Sequence, residues 1–563
     1  MAIHYNGGMN SLIVAILSAV GFVVAYRFYG AFLSHRIFDI DPKRITPAHE
    51  FEDGVDFVPT KKSILFGHHF TSIAGCGPIV GPAIAVIWGW VPALLWVVFG
   101  SIFMGAVHDF GALVVSARNK GRTIGDITRD LIGERARRLF LLLIFFSLLI
   151  VLAVFGLIMA VLFKDYPATV LPVWFEIPIA VALGYFIYKK SGNSFLASIV
   201  ALITMYGFVY LGVLYPIELP AFFMDNLVLS WVILLFIYAY VASVLPVWVL
   251  LQPRDYINSH QLFVGLGLMY LGLLIGTPEI VAPAINLNPE GAPSIIPFLF
   301  ITVACGAISG FHSLVSSGTT VKQLDKEEDM QSLGYGSMIL EGFLATLVIL
   351  TCTAGFATQT EWFNHYASWN SANGLGAKIG AFIEGGAGFL AYVGISHEIG
   401  VAIIAVLVIS FAATTLDSAT RIQRFIVQEI ASDFKNEFFK KKHGATIVAI
   451  GTAFALASIN GGKGGMIMWP LFGTVNQLLA GLGLIAISVY LYRLNKPVVY
   501  TMAPMVVILI MTSWAMVINL QTFIGGGKWL LVTFGILIII LEVWLIIEAA
   551  LVLKHIKKHE PVN

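Results

Sequence analysis

Residues 67–90 read GHHFTSIAGCGPIVGPAIAVIWGW. The stretch is apolar enough to sit in a membrane, yet it opens on paired His68 and His69. It is interrupted by Gly67, Gly75, Gly77, Gly81, Gly89, Pro78 and Pro82. Proline removes a backbone donor and clashes with the preceding turn, while glycine adds freedom that a helix must lose. In hydrocarbon such a break survives only where protein or a water-filled cavity satisfies the freed backbone groups. A broken, polar-headed membrane helix is therefore a candidate binding site, against which the rest of the chain can be tested.

Composition agrees with a membrane setting. Of 563 residues, 58% are hydrophobic and 12% charged, against about 25% charged in soluble domains. A net charge of +1 argues against nucleic acid as a partner. Cys76, Cys305 and Cys352 lie in apolar runs, at spacings that suit neither a disulfide framework nor a metal knuckle. Residues 1–10 hold no Lys or Arg, and the run Ser11–Leu33 is too long for a signal-peptide core. It reads as the first membrane helix.

Runs long enough to span fall near 9–33, 63–89, 91–117, 139–163, 170–188, 194–214, 227–250, 262–285, 296–320, 335–358, 399–420, 443–460, 466–489, 498–520 and 529–553. Each is near the roughly 20 residues a bilayer needs. The expected fold is an all-α integral membrane protein of about 15–16 transmembrane helices, with the lipid bilayer as its surroundings. Lys and Arg concentrate in cytoplasmic loops. They cluster here in 34–62, 118–138, 189–190, at Arg254, and in 322–326, 421–442, 493–496 and 554–558, while 215–226, 286–295 and 359–376 have none. If the glycine-rich segment Gly376–Ile395 does not span, every basic cluster lands on one side, with the N-terminus outside and the C-terminus inside.

Gly67–Gly75 (GHHFTSIAG) can be matched with Gly310–Gly318 (GFHSLVSSG), setting His69 against His312. The loop charges make these two broken segments run in opposite directions. That is the signature of inverted repeats in secondary transporters, which bind substrate between them near the midplane. The division expected is an N-terminal helix and loop over 1–62, a membrane domain over 63–553 with inverted halves 63–295 and 296–520, and a tail over 554–563.

Polar residues inside the apolar runs supply the chemistry. Gly75, Gly77, Gly81, His69, Thr71, His312, Ser313, Ser316 and Ser317 are candidates for holding an anionic substrate at half-helix N-termini. The hydroxyls serve equally as interhelical glue. His68, His108, Asp109 and Glu341 are candidates for coupling, because imidazole titrates near neutrality and an intramembrane carboxylate marks a pathway or a paired site. His108 and Asp109 are adjacent on one helix, so each is expected to need a partner elsewhere. Arg254 and Asp255 suit either a gate or a structural role, Arg254 serving also as a positive-inside anchor, and Asp417 and Arg421, at i,i+4 salt-bridge spacing, suit a structural or gating ion pair. Asn476–Gln477 is either glue or cavity lining. No phosphate-binding loop, H-E-x-x-H or G-x-S-x-G constellation is present, so no catalytic residue is assigned and no enzyme activity is expected. No cofactor is expected beyond a coupling proton or sodium ion. A metal at His68, His69 and His312 is the lesser alternative.

GHHFTSIAGCGPIVGPAIA (67–85), GAVHDF (105–110), LLQPRDY (250–256), ACGAISGFHSLVSSGTT (304–320), LDSATRIQRF (416–425) and FGTVNQLLAG (472–481) together resemble the carbon starvation protein A family of bacterial inner-membrane transporters. They occur in that family's order and extend over nearly all of the chain after its first helix. The resemblance implies the inverted-repeat fold of the amino acid–polyamine–organocation superfamily. It also implies proton-driven uptake of peptides or pyruvate, as small-molecule partners, under carbon starvation. A non-transporting inner-membrane sensor or assembly protein is the alternative.

Overall fold

The computed structural model describes residues 9–190, 193–220, 222–223, 225–433 and 437–555, so nearly all of the expected tail 554–563 lies outside the described residues. Among them, twelve helices are long and apolar enough to cross a membrane: Ser11–Ile37, Trp90–Ala117, Glu134–Asp165, Pro167–Lys189, Ser194–Leu214, Leu227–Val244, Leu251–Gly276, Glu327–Ala354, His397–Ala431, Gly464–Arg493, Val499–Gly525 and Trp529–Val552. Peripheral helices turn large apolar side chains outward, Leu17, Ile203, Val517 and Ile540 among them. Helix 464–493 is buried along most of its length. This is a multi-pass membrane protein.

The expected count of about fifteen is reached only with the shorter pieces. Lys62–Ile73 and Gly77–Trp88 form one further crossing, bent by 44°. Ile295–Thr302 and Gly310–Gly318 form another, broken over 303–309. Lys442–Ala457 is a shorter apolar helix of 16 residues.

The two broken helices lie against each other and run in opposite directions. His69 meets Thr320, Gly77 meets Cys305, Gly81 meets Thr302, and Trp88 donates from Nε1 to the Pro293 carbonyl. Glycine is needed for that approach. A Cβ on Gly81 would stand 2.5 Å from the Thr302 carbonyl oxygen, and one on Gly77 would overlap the Cys305 side chain. At Gly89 the backbone reaches φ 104°, a region that side chains avoid, and the chain reverses there into helix 90–117.

The match of Gly67–Gly75 with Gly310–Gly318 is not the register of an inverted repeat. The first segment precedes its break and the second follows it, whereas a repeat superposes leading half on leading half. What the two segments share is one end of the molecule, where His69 meets Thr320.

The basic loops also meet at that end. Val58 N donates to Lys322 O at 3.1 Å and Val247 N to Val55 O at 3.0 Å, and Arg493 Nη2 donates to Leu131 O at 2.8 Å. Helix Leu375–Ala391 keeps both termini at the opposite end. Gly376 lies beside Asp165, at the far end of helix 134–165, and Tyr392 packs on Gly276, at the far end of helix 251–276. It therefore does not cross, in line with the reading from loop charge.

Candidate functional site

Both breaks are held by helices packed behind them. Thr415 Oγ1 donates to the Ser72 carbonyl at 3.2 Å, and Ser418 meets Ser72 at 2.8 Å. At the second break, Asn476 Oδ1 accepts from Phe311 N at 3.0 Å and from Ser309 Oγ at 3.1 Å. It thereby caps half-helix 310–318 from outside. Gln477 Nε2 donates to Phe300 O at 2.5 Å in the other half. The amide pair is thus glue for a broken helix, supplying partners that backbone groups lack where a helix stops.

A cavity of ≈ 430 Å³ opens between the leading end of half-helix 77–88, half-helix 295–302 and helices 464–493 and 499–525. Gly77 and Gly81 form part of its wall, as do Thr474, Asn519 and the Trp469 ring. Loop residues 291–293, Trp369 and Lys528 stand at its margin, at the end opposite the basic loops. Its volume lies within the 300–1,000 Å³ usual for small-molecule sites.

On the basic side of the breaks, the titratable residues join in one buried chain. His108 Nδ1 lies 2.8 Å from Asp109 Oδ1. Asp109 Oδ2 lies 2.8 Å from His312 Nδ1, and His312 Nε2 stands 3.4 Å from Glu341 Oε2. Asp109 finds the expected partner elsewhere in His312, whereas His108 bonds its neighbour Asp109 although the two are adjacent on one helix. Asp109 has two carboxylate oxygens and is buried from water, so it takes the adjacent ring on one and His312 on the other.

Beyond this chain lie the ion pairs. His68 Nδ1 is 2.5 Å from Asp255 Oδ2. Arg254 donates to Asp417 at 2.7 Å and lies 3.4 Å from Glu176, while Tyr238 donates to Asp417 at 2.7 Å. The expected Asp417–Arg421 pair does not form. Arg421 and Arg424 reach instead to Asp56, at 2.5 and 3.0 Å, because Arg254 from a neighbouring helix already occupies Asp417. Asp56 lies in the loop before the first half-helix. Burial alone would raise its carboxyl, but Arg421, Arg424 and Lys322 outweigh that and hold it below the usual carboxylate range.

The remaining expected residues divide sharply. Ser313 and Ser317 donate to carbonyls of their own helix, and Thr71 donates to Gly67 O. Ser316 Oγ is buried without a partner. Gly75 packs against Thr415 and Phe155. Of the nine substrate candidates, Gly77 and Gly81 reach the cavity wall. His68, His69 and His312 each turn to a different partner, and no cluster suited to a metal occurs among the described residues.

Lys378, Trp469, Asn519, Glu176 and Asp56 escaped the sequence reading. Lys378 and Glu176 had a legible signal, each being a lone charge in an apolar stretch, LGAKIGAF and VWFEIPI. Trp469, Asn519 and Asp56 had none, since they matter only through residues distant in sequence.

A family model described as carbon starvation protein CstA matches residues 10–367 and 353–515. The chain is 32% identical to a peptide transporter CstA of Campylobacter jejuni, over 93% of this chain and 82% of that protein. It is 30% identical to the pyruvate/proton symporter BtsT of Escherichia coli, over 92% and 83%. Among solved structures, MhsT in complex with L-phenylalanine superposes with a TM-score of 0.50 at 13% identity, over 87% of this chain and 99% of that one, a likeness of fold.

Proposed function

Because the chain belongs to the carbon starvation protein CstA family, we propose that it is a secondary transporter carrying small peptides or pyruvate inward across the bacterial inner membrane, driven by protons. The observation that carries this reading is the pair of opposed broken helices with a cavity at one end and a buried titratable chain at the other. A cavity beside the leading end of half-helix 77–88 offers a positive dipole end to a carboxylate. Peptides and pyruvate both carry one, and relatives named for each solute support that class.

The chain His108–Asp109–His312–Glu341 supports coupling to protons over sodium. Among the described residues its two carboxylates contact imidazoles and neither Lys nor Arg, and carboxylate and imidazole are both groups that bind protons. Such a chain takes up and releases protons as its surroundings change. The basic loops lie on the cytoplasmic side in this reading, by the rule that Lys and Arg stay inside. The cavity then opens outward, and the latch from Asp56 to Arg421 and Arg424 closes the inner side.

Uptake of labelled dipeptide and labelled pyruvate into proteoliposomes, with and without an imposed pH gradient, tests the proposal. Gradient-stimulated accumulation of one or both is the expected result. No uptake of either at any gradient overturns it and leaves a non-transporting sensor as the reading.

A further inference from the structure

Lys378 sits in the first turns of the non-crossing helix 375–391, its side chain facing the cavity with the residue only 3% exposed. Its ammonium lies 5.0 Å from the centre of the Trp469 ring and has no carboxylate in ion-pair range among the described residues. Neither packing nor helix stability accounts for a lysine here. A cation near a helix N-terminus opposes the helix dipole. A cation–π contact is a small return for a desolvated ammonium, which ordinarily demands a paired anion. The cavity supplies no such anion: among the described residues its wall holds Lys378 and Lys528 and not one Asp or Glu. The leading end of half-helix 77–88 and the trailing end of half-helix 295–302 face the same space with opposite dipole ends, so the lysines supply its net charge.

We propose that Lys378 is the carboxylate-recognition residue of this cavity, taking the carboxylate of a small solute that bears one such group against the Trp469 ring before the solute passes between the broken helices. The inference rests on the transport reading and narrows it to a chemical class: solutes bearing one free carboxylate, whether a short peptide or a 2-oxo acid. Trp469 forms the apolar side of the subsite, and Asn519 and Thr474 offer hydrogen bonds to the rest of the solute. Amides of the same solutes fit the same volume and lack the carboxylate that Lys378 selects.

The test compares wild type with Lys378→Met, Lys378→Gln and Lys378→Arg, using pyruvate, glycylglycine and their amides as probes. Ligand-induced thermal stabilisation of the purified protein reports binding, and proteoliposome uptake reports KM. Wild type and Lys378→Arg are expected to be stabilised by the acids and not by the amides. Lys378→Met and Lys378→Gln should lose that preference and raise KM about tenfold or more, the scale of one charge-assisted contact. Acid-over-amide preference and KM unchanged in both neutral variants overturn the inference while leaving transport intact. So does an equal loss for acid and amide, which marks a structural lysine. Wild type that neither takes up nor is stabilised by any probe defeats the transport reading itself. Replacing a buried ammonium by Met removes a desolvation cost, so a folded Lys378→Met is expected, and Lys378→Gln stands in if it is not recovered.

Discussion

Asp109 bonds two histidines at once, His108 through one oxygen and His312 through the other. An amide in its place keeps the shape and loses the charge that a proton would neutralise. Asp109→Asn is therefore expected to lower gradient-driven uptake by about 10²-fold or more, while substrate exchange without a gradient persists. Comparing driven uptake with counterflow in the same proteoliposomes checks this. Driven uptake at the wild-type rate would remove Asp109 from the coupling step. That the four members of this chain matter was legible in the sequence, because ionisable groups are rare inside apolar runs. That they touch one another was not, since they come from three helices and the loop-charge argument orders helices without saying which faces meet.

At the scale of elements, the two broken helices depend on glycine for their approach. Gly81→Val would drive a side chain into the Thr302 carbonyl. Overpacking of this kind costs about 1–3 kcal/mol, so a lowered melting temperature in detergent is the expected outcome, and an unchanged one would mean that the breaks do not pack so closely in solution. The Arg254–Asp417 pair is buried on both sides. Asp417→Asn should destabilise by about 3–5 kcal/mol, as the loss of one partner of a buried pair does, and replacing both Arg254 and Asp417 by apolar residues should recover much of that loss.

The Asp56 latch has its own pH signature. Its carboxyl is depressed in the folded protein, so its contribution is complete above the ordinary carboxylate range, near pH 4, and is lost as pH falls below that. The melting-temperature gap between wild type and Asp56→Asn is expected to be flat from about pH 5 to 8 and to narrow only in stronger acid. A gap that closes between pH 5 and 7 would contradict the pairing. The breaks themselves were visible as glycine and proline in apolar runs. The capping of half-helix 310–318 by Asn476, and the capture of Asp56 by Arg421 and Arg424, were not.

For the whole molecule, two exposed positions at opposite ends measure the orientation in the membrane. Glu361→Cys should react with a membrane-impermeant maleimide in intact cells, and Lys326→Cys only after permeabilisation; the three native cysteines are buried. The reverse pattern would invert the direction of transport proposed above.

The sequence by itself determined the class of this molecule: hydrophobic runs of spanning length, basic loops that order them, and two interruptions that no lipid-facing helix would tolerate. Those properties are local, or sum over loops, and survive without coordinates. Only the tertiary structure decided that the interruptions pack antiparallel against each other, and that Gly67–Gly75 and Gly310–Gly318 meet at one end without being equivalent halves of a repeat. It also separated the cavity from the histidines and put Lys378 in its wall. A membrane span has a fixed length and direction, but its rotation is set by packing against neighbours, and rotation decides which side chains share a site.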